Sequence, residues 1–325
     1  MNRRQVLITG GAAALGTLVS PLARAVDLFT ISLAQFSLHR TYYGDHAKKG
    51  WAHLGKLLRE NPAAAVSTGP DPSDFPILSK TQFGIDAVEY VNQFYYAQLG
   101  NDPYFKEIAL KADDYGVVSH LMMLDGTGPI GAADKVVRSD ARENVKRWMA
   151  MANLLGCSIV RVNAQGDGDP VARAARTADA LDQLAEDGQS MGLAVVVENH
   201  GGLSSDGAWL ANVMSMAKHS GVGTLPDFGN FKTGQDAQGE DVWYDRYLGV
   251  TELMPYAKAV SAKSYGFGSD GNDTATDYNR MMKIVLDAGY RGYVGIEYEG
   301  RELDEASGIR ATKALLERIR DQYRD

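Results

Sequence analysis

Three carboxylates close apolar runs in this chain: Glu198 ends GLAVVVE, Asp227 follows GVGTLP, and Glu297 ends GYVGIE. An acid in that position adds nothing to a core. Three of them brought to one point need a cation between them, or one must keep its proton. Further polar residues stand at alternate positions, which share a face in extended chain: His200 with Glu198, Arg161 with Asn163, Ser261 with Lys263, Glu299 with Glu297. Glu89 ends another apolar run. Carboxylates with one or two imidazoles suit a divalent ion held by oxygen and nitrogen, such as Mn²⁺, Mg²⁺ or Co²⁺; with a single cysteine, Cys157, a thiolate-rich zinc site is excluded. Such an ion beside a carboxylate base supports removal of a proton from the carbon next to a carbonyl. That step begins isomerisation, epimerisation or β-elimination.

The elements that must position these groups repeat one phrase: an amphipathic helix, a glycine, a short apolar strand and a polar loop. Gly84, Gly116, Gly156, Gly192 and Gly221 stand where a helix C′ residue would be, about 30–40 residues apart, the length of a βα unit. Strands are predicted at Phe29–Phe36, Ala87–Val91, Val117–Met122, Ser158–Val162, Leu193–Glu198, Val222–Asp227, Ala259–Ser264 and Tyr293–Glu297. Eight strands with helices between them predict an α/β fold, a (β/α)8 TIM barrel forming one domain over residues 26–325. A doubly wound sheet fits less well, because SLHRTYYGD after the first strand holds no Gly-rich phosphate turn. Residues 40–82 form a long first βα connection with a helical piece at Trp51–Arg59 and the breaker-rich TGPDPSDFP. On a barrel it should lie over the catalytic face.

Charge and composition narrow the partners. Asp and Glu number 41 against 33 Lys and Arg, a net charge of −8 with no basic cluster, which disfavours nucleic acid. Apolar residues make up 45%, enough for a sizeable core, and no run reaches the ~20 residues of a membrane span, so stable membrane insertion is not expected. Cys157 sits inside an apolar strand and reads as a small buried hydrophobe. Residues 1–25 have the order of a twin-arginine signal: Arg3-Arg4, a short apolar run from Ile8 to Val19, and Ala23-Arg24-Ala25 before the predicted cut. The expectation is a periplasmic or otherwise exported protein, carried folded by the twin-arginine export machinery.

The strand-five Glu in ENHGG, the strand-six Asp in DFGN and the strand-eight Glu in IEYEG together resemble the xylose-isomerase-like barrel superfamily of sugar (phosphate) isomerases and epimerases. The resemblance spans nearly the whole mature chain. It implies a divalent metal on Glu198, Asp227 and Glu297, with Glu198 and Glu297 as proton-moving bases, and it places Asn230 where several members carry a histidine that contacts substrate or metal. Strand seven departs from the pattern. Where the family reads His-x-Lys, this chain reads Ser261-Ala262-Lys263. His200 is then available as a further metal ligand, or water fills the place; alternatively Lys263 pairs with Glu297 in a metal-free site.

The expected catalytic set is Glu198, Glu297 and Lys263, and the expected substrate contacts are His39, His120, Arg161, Asn163, His200 and Asn230. His39 and His120 read equally well as structural histidines, and Arg161 as a buried partner for Glu198. His46, His53 and His219 are predicted to be solvated. Trp209, Tyr244, Tyr247 and Tyr265 could stack on a sugar but fit packing better. The loop GFGSDGND brings Asp270 and Asp273 where a phosphate would need cations, so the expected substrate is a non-phosphorylated sugar or keto-sugar. The readings left open are isomerase or epimerase, a β-eliminating lyase or hydratase on keto-glycosides, and a non-catalytic sugar-binding barrel. An endonuclease would need more histidines and a basic face.

Overall fold

Strands buried on both faces pair along both edges, and eight of the apolar runs do so here. The computed structural model describes residues 28–323; the proposed export signal lies outside them. The barrel strands are β1 (Thr30–Ala34), β2 (Ala87–Val91), β3 (Val118–Met123), β4 (Ile159–Val162), β5 (Ala194–Glu198), β6 (Val222–Leu225), β9 (Val260–Ser264) and β10 (Tyr293–Tyr298). A small antiparallel hairpin, β7 (Lys232–Gln235) and β8 (Asp241–Trp243), follows β6. The barrel strands are parallel, in the order β6-β5-β4-β3-β2-β1-β10-β9. Bridges Thr224–Ala257 and Asp227–Ser261 join β6 to β9 and complete a TIM barrel. The sequence reading ran β6 on to Asp227. The strand stops at Leu225 because Pro226 has no N–H to give to a ladder.

Strands β2 to β5 each follow a helix closed by backbone that an L side chain resists. Gly84, Gly116, Gly156 and Gly192 have φ of +63°, +64°, +80° and +68°. Gly221 does not share this role; its N–H donates to Nδ1 of His219. Six helices that follow barrel strands begin on an aspartate, Asp134, Asp169, Asp206, Asp245, Asp277 and Asp304, whose side chains accept first-turn N–H groups. Among the described residues no helix is long and apolar enough to cross a membrane.

The long first connection is helical in pieces, chiefly Trp51–Glu60, and is anchored by Tyr42, Tyr43 and Phe75, all buried against one another or Phe94. It starts beside the strand ends, where Glu305 accepts from the N–H groups of Arg40 and Thr41.

Candidate functional site

Register alone brings the acids together. On β9 and β10, Lys263 lies beside Glu297 and Ser261 beside Gly295, and the seam bridge sets Asp227 beside Ser261. Glu198 arrives from β5 opposite Leu225. One carboxylate oxygen from each of Glu198, Asp227 and Glu297 lies within 4.8 Å of the others, and all three side chains are buried.

Asp227 is the most constrained. Its Oδ1 accepts from the N–H groups of Gly229 and Asn230, each at 2.7 Å, and Asn199 pins its backbone through both N–H and C=O. The hydroxyl of Ser261 lies 2.8 Å from Asp227 Oδ2 and 2.9 Å from Glu297 Oε2. A hydroxyl carries one proton, so two ionised carboxylates cannot both be satisfied there. Burial pushes Asp227 and Glu297 above the usual carboxylate range, against the opposing pull of Lys263. Lys263 Nζ stands 3.0 Å from Glu299 Oε1, 3.5 Å from Asp227 Oδ2 and 3.6 Å from Glu297 Oε2. Burial alone would lower this amine, but Asp227, Glu297 and Glu299 outweigh it and hold Lys263 well above its ordinary value. Burial also opposes ionisation of Glu299, yet Lys263 wins and keeps that carboxyl low.

Glu198 is fixed from two sides. Asn230 Nδ2 donates to its Oε1 at 2.9 Å, and Oε2 lies 2.8 Å from Arg161 Nε in an ion pair without an aligned hydrogen bond. Arg161 also donates to Asp125 Oδ1 at 2.7 Å, which Asn163 Nδ2 reaches at 2.9 Å. Burial would raise Asp125, but the guanidinium overrides it and keeps the carboxyl below the usual range.

Beneath the cluster, Glu89 is fully buried and accepts from Ser32 Oγ at 2.6 Å, while its Oε2 has no partner. A pairing shift between Val88 and Glu89 marks a bulge in β2 at this residue. Burial, and then the charges of Glu297 and Glu198, push it up to about 8. The room for it comes from Gly295, where a Cβ would meet Glu89 Oε1 at 2.5 Å.

Three buried carboxylates, Glu198, Asp227 and Glu297, and two partly exposed ones, Asp125 and Glu299, thus face two buried cations, Arg161 and Lys263. That excess of negative charge, with one hydroxyl between two carboxylate oxygens, fits a divalent ion on Glu198, Asp227 and Glu297. Oxygen-only donors suit Mg²⁺, Mn²⁺ or Co²⁺.

A cavity of about 280 Å³ opens over the cluster, with Asp125, Arg161, Asn163, His200, Glu297 and Glu299 in its wall. A larger one of about 630 Å³ lies on the other side of Glu299. Glu297 therefore faces the smaller cavity as expected. Glu198 does not, since Arg161 forms the wall there. Asn230 does not line it either; it bridges Glu198 and Lys263, its Oδ1 accepting from Nζ at 3.2 Å.

Two expectations need correction. His200 does not join the carboxylate cluster but stands exposed on the cavity wall. Strand β5 ends at Glu198, Asn199 turns in to hold the backbone of residues 227 and 230, and Gly201 and Gly202 turn the chain with φ of +86° and +61°. The alternation that would aim His200 at the ion is broken. His120 is not at the working rim. It lies low in β3, stacked at 4.0 Å on Tyr293, the first residue of β10, four residues or ~13 Å of strand below Glu297. Burial lowers it to about 4, so it is a neutral structural residue.

His39 is nearly buried on the wall of the larger cavity; its Nδ1 donates to Phe36 O at 2.8 Å, and burial lowers its pKa. His46 and His53 pair at 3.0 Å, and His219 is partly buried beside Glu186. Trp209, Tyr244, Tyr247 and Tyr265 line neither cavity. Asp125 escaped the sequence reading, as did the place of Trp51 on the cavity wall. Asp125 had a signal, an acid after the apolar run VVSHLMML.

Residues 81–321 match the protein family described as xylose isomerase-like TIM barrel. Among curated relatives, a C-glycoside deglycosidase alpha subunit from Arthrobacter globiformis is 35% identical over 65 residues, 19% of this chain and 18% of that one. The chain thus matches under a fifth of that relative's length. Among solved structures, an L-ribulose 3-epimerase superposes with a TM-score of 0.61 at 15% identity, covering 91% of this chain and 96% of that one. A 3-keto-D-glucoside 4-epimerase from E. coli gives 0.58 at 16% identity, over 76% and 94%.

Proposed function

This chain belongs to the family of xylose isomerase-like TIM barrels, and on that premise we propose that it is a divalent-metal-dependent isomerase or epimerase of a non-phosphorylated sugar or keto-sugar. The observation that carries the reading is the cluster of three buried carboxylates whose member Glu297 faces a small polar cavity beside a protonated lysine. A divalent ion held by Glu198, Asp227 and Glu297 supplies Lewis-acid polarisation of a substrate oxygen. Glu297 takes the proton from the carbon next to the carbonyl and, by returning it to the neighbouring carbon on the same face, completes an isomerisation; epimerisation needs a second proton donor on the opposite face of the enediolate. Burial raises the pKa of Glu297 above the ordinary carboxylate value, which makes it a better proton acceptor. Lys263 lines neither cavity; it stays an ammonium behind Glu297 and Glu299 and holds their charge and position. Arg161 and Asn163 hold hydroxyls on the far wall, and Glu198 serves the ion, since it does not reach the cavity. The solved neighbours that are sugar epimerases support this class of chemistry.

Elimination from a keto-glycoside begins with the same proton removal. The local similarity to a deglycosidase subunit favours it as the second reading. We also propose export through the twin-arginine route, tested by whether residues 1–25 carry a folded reporter out of the cytoplasm.

The decisive experiment is turnover in deuterium oxide. Deuterium should enter the carbon beside the carbonyl, and Glu297→Gln should slow its entry by ~10²–10⁴-fold with the fold intact. Undiminished exchange in that variant would remove Glu297 from the mechanism.

A further inference from the structure

The larger cavity is walled by an aromatic ring that the proposed proton transfer does not use. Trp51, at the start of the helix Trp51–Glu60, is 52% exposed. Its ring is nonetheless held in place. It stacks on Phe36 at 5.9 Å with 13° between planes and on His39 at 5.5 Å with 25°, and Tyr43 meets it edge-on at 6.5 Å. An indole fixed on one side and open on the other is a preformed platform, and one left in water forgoes much of the gain from burying it. This platform opens into the cavity of about 630 Å³, which shares Glu299 with the cavity over the carboxylates. Phe36 connects the two, because it walls the smaller cavity and stacks on Trp51.

The remaining wall sets the chemistry of the occupant. Arg40, Lys48 and Arg301 are matched there by Glu299, Glu302 and Asp304. Balanced charge neither draws a phosphate nor repels a neutral group. These planar and charged ends can pair with hydroxyls around a ring that lies flat on the indole. The smaller cavity, about 280 Å³, is at the lower end of pockets that hold small ligands and leaves a second ring no room.

We infer that the substrate is a glycoside: its reacting sugar lies over Glu297, and its second, uncharged ring, a sugar or an aryl group, stacks on Trp51. This rests on the sugar chemistry proposed for the carboxylate site. Trp51 is then a specificity-determining residue that touches the leaving or distal group and takes no part in moving the proton.

The test compares wild type, Trp51→Ala and Trp51→Phe on the methyl and phenyl glycosides of one hexose that carries a ketone at a non-anomeric ring carbon, so that a free carbonyl with a C–H beside it remains. It reads deuterium uptake and KM, and it measures binding of both glycosides by calorimetry, which needs no turnover. Wild type should bind the phenyl glycoside roughly tenfold more tightly than the methyl one. Trp51→Ala should erase most of that difference and leave the methyl glycoside within about twofold, and Trp51→Phe should restore part of it. Equal affinity for the two glycosides in wild type, binding of neither, or an equal loss for both in Trp51→Ala would each overturn the inference. Absence of deuterium uptake with a phenyl preference that still depends on Trp51 would instead sink the proton-transfer reading and keep the subsite.

Discussion

Replacing Glu89 by glutamine separates the charge of a buried acid from its shape. Folding raises this carboxyl from an ordinary 4.5 to about 8, through burial first and then the charges of Glu297 and Glu198, with Ser32 and Arg161 opposing. Tyr290 is the other titratable group that feels it. Between these two values the folded protein holds a proton that the unfolded chain has released. The unfolded state binds fewer protons, so this contribution to stability is fully present below about 4.5, falls as pH rises, and is gone above about 8. The slope is about −1.4 kcal/mol per pH unit, and over the whole window the effect is roughly 5 kcal/mol. Urea unfolding of wild type and Glu89→Gln at pH 5.5, 6.5 and 7.5, followed by circular dichroism in the presence of chelator, reads it directly. The stability of wild type relative to the variant should drop by about 1.4 kcal/mol at each step. Asp227, Glu297 and Glu299 titrate in both proteins and largely cancel in the comparison. A bound divalent ion should move the window to lower pH, because its charge favours the ionised form. A difference between the proteins that stays constant from pH 5.5 to 7.5 would refute the claim that Glu89 carries a proton.

Arg161→Met strands Asp125 and Glu198 as buried charges and should cost about 3–5 kcal/mol in chemical unfolding; a cost below 1 kcal/mol would contradict the pairing described here. His200→Ala should leave metal affinity within about twofold of that of His219→Ala while raising KM for sugar, and a tenfold loss of metal affinity would return His200 to the coordination sphere. Gly295→Ala should destabilise by about 1–3 kcal/mol, because its Cβ would press on Glu89, and Glu89→Ala in the same chain should recover part of that cost.

The strands were legible because parallel barrel strands are apolar on both faces and are introduced by glycines that only a left-handed C′ position explains, as at Gly84, Gly116, Gly156 and Gly192. Glu198, Asp227 and Glu297 were legible for the complementary reason, being acids where burial offers nothing to an acid. What escaped depends on partners distant in sequence. Asp125 gains its meaning from Arg161 and Asn163, and the depth of Glu89 is set by Ser32 and a glycine on β10. His120 stayed open between a substrate contact and a structural role because a strand's sequence shows which face a residue shares but not how far up the barrel it stands. His200 was misplaced because period-two alternation was carried one turn past the end of β5, where Asn199 redirects the chain. Trp51 was legible only as the start of a helix, because its stacking on Phe36 and His39 and its place on the cavity wall depend on where the first connection folds back.

The seam between β6 and β9 makes assembly of the site and completion of the ring one event. Three backbone hydrogen bonds cross it near its paired residues: Lys258 N to Thr224 O, Ser261 N to Pro226 O, and Phe228 N to Ser261 O. Two of them involve Ser261, whose hydroxyl also reaches Asp227 and Glu297. A chain that has wound seven strands but not sealed the eighth lacks the oxygen cage as well as the circumference. Any ion that prefers the finished cage acts as a clasp on the whole cylinder, and its grip would register in amide exchange along the seam before anywhere else.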